Sequence, residues 1–385
     1  MDAQACRLIS SVRSHLFLLR ENEQRQISFV GNMMATSATV NKPVETTSAA
    51  QGPNPMQLVL QASSGYMVSA AMYAVTKLSI ADLLADGPQP ISALASKTGM
   101  NEDALYRVLR ALTCVGVFEE SPARTFSLNP AANYLRADVP GSLRCWVLWL
   151  ANKLHFDVWS EILHSIQTGV PAVEHVYQQP CFEVLSNGQE HCDEFNNAMT
   201  NFSAMTMPCV LEAYDFSGVG TLVDIAGGHG FLLCNIVKQY PAMKGILFEM
   251  ESVAAQAKEH VAREGVSDRV RIVSGSFFET APEGGDVYMM QHIIHDWADD
   301  KALAILNNVH RAMKGKGKLL VLDSIVKPGV AGDFTPWKDL EMLVLPGGRE
   351  RTESEFRDLL ARGGFRLQRV IPTQSTISIL ESVPV

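Results

Sequence analysis

One stretch restricts the fold more than any other. Residues 221–249, TLVDIAGGHGFLLCNIVKQYPAMKGILFE, run from an apolar strand through a glycine turn into a helix, then to a second strand closing on an acid. The run 221–225 is rich in β-formers and carries Asp224, and Gly227, Gly228 and Gly230 permit positive φ and close approach of the backbone to a ligand. The segment 231–240 reads as a helix and 245–248 as the next strand, so Glu249 falls where βαβ units set a carboxylate against ribose hydroxyls. A nucleoside-bearing ligand is therefore expected over the turn. A dinucleotide fingerprint beginning at Gly228 requires a glycine at 233, where the chain has Leu233, so nicotinamide binding takes second place.

The alternation continues beyond Glu249, with a helix over 252–264, a strand over 270–273, GSFFE, a strand over 286–290 and QHIIHDW. Strands alternating with helices predict a doubly wound, mostly parallel sheet whose ligands sit at the carboxyl ends of the strands. His295 comes just past such an end and is the candidate general base. Asp323, closing the strand over 318–323, and Glu350, in PGGRERTESEF, belong to the same edge. Each reads equally well as a solvated loop charge. If both approach His295, they fix its tautomer and favour its charged form after proton abstraction. There is no nucleophilic Ser or Cys motif and no H-x-x-x-H spacing, so covalent and metal-dependent mechanisms are disfavoured and no metal ligand is expected.

A chain of 385 residues, 47% hydrophobic and 19% charged, can bury a large core and is expected to form two domains. Its 32 basic against 41 acidic residues give −9, which argues against a general nucleic-acid or anionic-membrane surface. The seven cysteines are scattered without C-x-x-C, as suits buried thiols of a reducing cytoplasm. The uncharged apolar run 145–151 is too short to span a bilayer, so no transmembrane helix is expected.

Residues 1–55 read as a disordered extension, rich in Ser, Thr, Ala, Gln and Pro over 34–55. Arg7, Arg13 and Arg20 superficially suggest a targeting peptide, but Glu21 and Glu23 interrupt it; a start at Met33 or Met34 is equally plausible. The helix-compatible stretch 58–84 has too little charge for a free surface and calls for a partner, with a second subunit the reasonable candidate. Residues 91–128 give two short helices and a hairpin, a winged-helix pattern. Arg107 and Arg110 would suit DNA, yet Glu102, Asp103, Glu119 and Glu120 surround them, so structural and dimerising use is the better reading. Aromatic and Met side chains then cluster ahead of the sheet. Each reads as plain core or as the wall of a flat apolar pocket; Trp149, His155, Trp159, Phe195 and Met199, together with Asp296 and Met342, form the expected acceptor-contacting set.

LVDIAGGHG, ILFE, GSFFE, QHIIHDW and LPGGRERTESEF, in this order behind a winged-helix segment, resemble the S-adenosylmethionine-dependent small-molecule O-methyltransferases. That family includes the caffeic acid, acetylserotonin and bacterial polyketide or phenazine methyltransferases, and the likeness covers residues 58–385. It implies a Rossmann-like doubly wound methyltransferase sheet with a C-terminal antiparallel hairpin over 365–371 and 376–381, and an all-α, winged-helix N-terminal domain. The implied division is a dimerisation domain over 56–140, linking helices and pocket wall over 141–210, and a catalytic domain over 211–385. The resemblance further implies His295 as base with Asp323 and Glu350 beside it. It assigns cofactor contacts to Ser203, Ala226, Gly227, Gly228, Glu249, Ser276, Phe277 and Gln291, and predicts a homodimer acting on a hydroxyl, expected to be phenolic, of a small aromatic or polyketide-like metabolite. Several positions depart from the family pattern: Ala226 replaces a Gly, Glu249 and Asp323 exchange the usual Asp and Glu, Ser276 replaces an Asp, and Gln291 replaces a Lys or Arg. Some relatives keep the cofactor without methylating, and this alternative stays open; the retained His295 argues for methylation.

Overall fold

The computed structural model describes residues 54–327, 329–330 and 332–385, so the expectations for residues 1–53 lie outside the described residues. The chain divides into two compact units, one ending at Asn133 and the other running Tyr134–Val385.

In the first unit, Asn54 and Pro55 are not part of an extension. Asn54 Oδ1 accepts from the Met56 amide at 3.0 Å and caps the helix Pro55–Ser63. The apolar stretch beyond is broken into Pro55–Ser63, Gly65–Lys77 and Ile80–Leu83. The first break falls where Ser64 Oγ turns back onto the carbonyls of Leu60 and Gln61, and the second where Ser79 takes φ +55°. Met56, Val59 and Leu60 are 65%, 67% and 62% exposed, and Tyr66 and Met67 lie open beside them. No single helix among the described residues is long and apolar enough to cross a membrane; the first two helices, bent by 45°, reach that length and composition only as a pair.

The winged-helix expectation holds in detail. Strand β1 (Gln89–Pro90) is followed by the helices Ile91–Thr98 and Glu102–Thr113, then by the hairpin of β2 (Glu119–Ser121) and β3 (Thr125–Ser127), with β3 central in an antiparallel sheet. Asn101 Oδ1 caps the second helix by accepting from the Ala104 amide at 3.0 Å, and Leu105, Leu109 and Leu112 bury one stripe of it.

The second unit opens with helices from Arg144–Leu150 to the long Gln189–Ala213, and then builds one seven-stranded sheet. Its strands are β4 (Thr221–Ile225), β5 (Lys244–Glu249), β6 (Val270–Ser274), β7 (Val287–Gln291), β8 (Lys318–Asp323), β9 (Phe365–Pro372) and β10 (Ser378–Pro384). They lie in the order β6-β5-β4-β7-β8-β10-β9. All pairings are parallel except those of β10, which runs antiparallel to β8 and β9. The apolar strands are covered on both faces, by one cluster around Val223, Tyr288 and Val321 and another around Leu222, Met289 and Leu320. Strand order reverses between β4 and β7, which opens the ligand crevice at their carboxyl ends.

Candidate active site

The turn after β4 is shaped by close contacts at Gly227 and by open space at Gly228. A Cβ on Gly227 would collide with the Asp224 carboxylate and stand 2.7 Å from Leu247 Cδ1, whereas one on Gly228 would meet nothing within 4 Å. Bare backbone therefore faces whatever lies over the turn. Gly228 takes φ +58° and Gly230 +80°, and Gly230 starts the helix Phe231–Gln239. Ala226 also takes a left-handed φ, +55°, a strain of about 1–2 kcal/mol for a residue with a Cβ. Glu249, at the end of β5, is buried; its Oε2 accepts from the Gly228 amide at 3.1 Å and its Oε1 from the Met250 amide at 2.9 Å. Burial raises the Glu249 carboxyl against these two bonds, and burial with Glu249 alongside pushes Asp224 up to about 8. Ser276 and Phe277 follow β6, and Gln291 ends β7 with Nε2 donating to Thr206 Oγ1 at 3.1 Å, next to Ser203 on the same helix. The structure thus sets Ala226–Gly228, Glu249, Ser276–Phe277 and Gln291 after or at the ends of four adjacent strands.

His295 lies on the short 3-10 turn Ile294–Asp296 beyond β7 and is 5% exposed. Its Nδ1 is 2.6 Å from Glu350 Oε1. With Glu350 ionised, that contact places a proton on Nδ1, so the ring can accept a second proton only at Nε2, which has Asp296 Oδ1 3.3 Å away. Asp323 Oδ1 stands 3.9 Å from His295 Nδ1 and 3.3 Å from His292 Nδ1. The two carboxylates are not equivalent. Glu350 is buried but receives His295 and Lys338, which hold its carboxyl below the usual range against the cost of burial. Neither Asp323 oxygen has a hydrogen-bond partner among the described residues, so burial wins and raises its carboxyl. Burial also pushes Asp296 up to about 6. For His295, burial and Lys338 favour the neutral ring, while Glu350, Asp296 and Asp323 together outweigh them and shift it upward.

The loop bearing Glu350 is clamped to the histidine segment by backbone. The Arg349 amide donates to the His295 carbonyl at 2.8 Å. Arg351, almost wholly buried, donates through Nη1 to the Ile294 carbonyl at 3.1 Å and through Nη2 to the Trp297 carbonyl at 3.0 Å and Asp299 Oδ1 at 2.9 Å. Gly348 makes the approach possible: a Cβ there would collide with the His295 carbonyl oxygen and lie 2.6 Å from the Trp297 nitrogen.

The pocket-wall residues sit in a helical cluster next to this edge, linked to it by Phe182 against Trp297, ring centroids 5.3 Å apart. Trp149 is buried, edge-on to His155 and Phe195 at 4.5 and 5.2 Å, and Met199 packs on the same cluster. His155 Nε2 and Trp159 Nε1 each lie 2.7 Å from Glu341, on the helix Thr335–Val344 that also carries Met342. Four polar members of the site escaped the sequence reading: His292, Lys338, Glu341 and Arg351. QHIIHDW does show His292 one short turn from His295; nothing in the sequence signals that the helix Thr335–Val344 folds over both.

Residues 159–366 match the O-methyltransferase domain family and residues 60–138 the O-methyltransferase dimerisation domain. The chain is similar to phenazine O-methyltransferase PhzM of Lysobacter antibioticus, 40% identical over 85% of this chain and 96% of that protein. It is also similar to the mitomycin biosynthesis 6-O-methyltransferase of Streptomyces lavendulae, 35% identical over 87% and 96%. The solved mitomycin 7-O-methyltransferase MmcR superposes with a TM-score of 0.81 at 34% identity, over 86% of this chain and 98% of that one. The chain therefore belongs to the S-adenosylmethionine-dependent O-methyltransferase family and is a methyltransferase of small metabolites.

Because Gly348 admits the loop, Gly348→Ala is expected to push Glu350 and the histidine turn apart. Turnover should fall by about tenfold or more, together with the melting temperature. An alanine variant with unchanged melting and turnover would show that this approach does not hold the site.

Proposed function

We propose that the protein methylates a phenolic hydroxyl of a flat aromatic metabolite, with His295 as the general base. The observation that carries this is the 2.6 Å contact of His295 Nδ1 with Glu350, which leaves Nε2 on the side of the ring away from the carboxylate that orients it. The acceptor class is supported by the aromatic walls and by relatives named for phenazine and mitomycin. The bare turn at Gly228 and the Glu249 carboxylate suit the nucleoside part of S-adenosylmethionine, which when bound supplies an electrophilic methyl on a sulfonium sulfur. Ser203, Ala226, Gly227, Ser276, Phe277 and Gln291 complete that crevice. The chain's own work is to bind, align and exclude water, and to take the hydroxyl proton at Nε2 while Glu350 and Asp323 stabilise the imidazolium that forms. A phenol, at pKa about 10, is within reach of such a base. Lys338 Nζ, 3.1 Å from His292 Nδ1, brings a positive charge beside His292, His295 and Asp323, whose ligand-type atoms lie within 4.8 Å of one another.

With a hydroxyphenazine as acceptor, His295→Gln should lower the rate by roughly two to four powers of ten, with little change in S-adenosylhomocysteine affinity or melting temperature. Since the shift of His295 is upward, the wild-type rate should fall with acidity from above pH 6.5, the ordinary value of the ring. Near-full turnover by the glutamine variant would remove His295 as the base.

We also infer a homodimer formed through the exposed apolar helices that carry Val59 and Leu60. Light scattering should give twice the 42.2 kDa chain mass, and Val59→Asp with Leu60→Asp should shift it to one. A wild-type monomer would contradict the inference.

A further inference from the structure

We propose that Lys338 is a positioning residue that limits the hold of the surrounding carboxylates on the His295 proton, by setting a fixed ammonium inside their cluster, so that the imidazole reaches its proton-accepting form at a lower pH than it otherwise would. The inference deepens the reading of His295 as base and rests on it.

The placement of Lys338 is the first argument. It projects from the helix Thr335–Val344, and its side chain is 19% exposed. Nζ lies 3.0 Å from Glu350 Oε1, 3.1 Å from His292 Nδ1 and 3.1 Å from Ser324 Oγ. An ammonium has three N–H donors and no lone pair, so each donor has one partner here. In a hydrogen bond from Lys338, His292 Nδ1 offers its lone pair, which puts the proton of the neutral ring on Nε2, where it has no partner among the described residues. Burial, Lys338 and His295 all push His292 well below its ordinary value, in the same direction. The second histidine therefore adds no charge to the cluster.

The second argument is a count of charges around His295. Glu350 faces it from the loop after Gly348, Asp323 from the end of β8, and Asp296 from its own turn, so three carboxylates surround one ring. The cationic groups close by are Lys338 and the Arg351 guanidinium, and Arg351 is already paired with Asp299. Asp339, on the same helix as Lys338, accepts the Glu350 amide at 2.8 Å and adds no positive charge. In a hydrolase triad a single carboxylate orients the base and balances its charge during turnover. Three would go further and keep the ring protonated in the resting enzyme, which would take away its basicity. Lys338 acts at the point where this matters most, because it bonds to the same Glu350 oxygen that accepts His295 Nδ1. One oxygen divided between an imidazole and an ammonium holds the ring in place but favours its charge less.

A purely structural lysine, pinning the helix to the loop, would make the same contacts, so the test must read the charge of His295. Histidine-labelled 13C NMR titration of the full-length protein with S-adenosylhomocysteine bound gives that charge, with the His295 signal identified by its loss in His295→Gln. In Lys338→Met the His295 midpoint should rise by about one to three pH units, as expected when a charge within about 4–6 Å is removed. Lys338→Arg should return most of it, since it restores the charge but not the geometry. With a hydroxyphenazine acceptor, the ratio of Lys338→Met to wild-type rate should fall as the pH is lowered from about 9 to about 6. If melting shows that the methionine variant is unfolded, Lys338→Gln, which removes the charge but keeps a donor, takes its place. A folded variant with an unmoved His295 midpoint, or a rate loss equal at every pH, overturns the proposal. The two failures are separable: active His295→Gln removes the base reading itself, whereas an inactive His295→Gln with an unmoved midpoint removes only the role of Lys338.

Discussion

The site depends on one buried oxygen. Glu350 Oε1 lies 2.6 Å from His295 Nδ1 and 3.0 Å from Lys338 Nζ, so a single carboxylate oxygen joins the loop, the turn after β7 and the helix Thr335–Val344. Burying a carboxylate is costly unless it is paired and hydrogen-bonded; Glu350 meets that condition through Oε1, with Oε2 left without a partner among the described residues, whereas neither oxygen of Asp323 has one. The contrast divides the labour of the two acids. Glu350 is the ionised partner that orients the ring, and Asp323 is a desolvated neighbour whose charge depends on the state of His295.

The rest of the unit serves to bring these groups together. A doubly wound sheet places the ends of β4, β5, β7 and β8 along one edge, which aligns the glycine turn, Glu249, His295 and Asp323 without further machinery. Glu350 arrives from outside the sheet, so it needs a separate clamp. Gly348 allows the approach, the Arg349 amide fixes it, and the buried Arg351 guanidinium ties two carbonyls that flank His295. The strained Ala226 in the turn is held by its amide, which donates to the Phe248 carbonyl at 2.7 Å.

What could be read from the sequence follows from this division. The strands over 221–225 and 318–323 agree with the structure to the residue, because parallel strands buried on both faces are short apolar runs bounded by turn residues. Asp323 is legible because it closes the second of these runs, and His295 because it comes just past the run over 286–290. Glu350 was identified as a candidate, but its contact with His295 could not be known from spacing. Lys338 and Glu341 were not legible at all: they lie on one helix of unremarkable composition, and only tertiary packing turns them toward His292 and His155. The apolar stretch 58–84 gave no sign of its breaks, since these depend on Ser64 bonding back to the preceding turn and on a left-handed Ser79.

The central claim is that Nε2 of His295 receives the acceptor's proton, and the most direct measurement is a crystal structure with S-adenosylhomocysteine and a hydroxyphenazine bound together. The account predicts the acceptor hydroxyl oxygen within about 2.6–3.2 Å of His295 Nε2, with Nδ1 still on Glu350. An acceptor whose hydroxyl is held by another side chain, with Nε2 turned away from it, would contradict it.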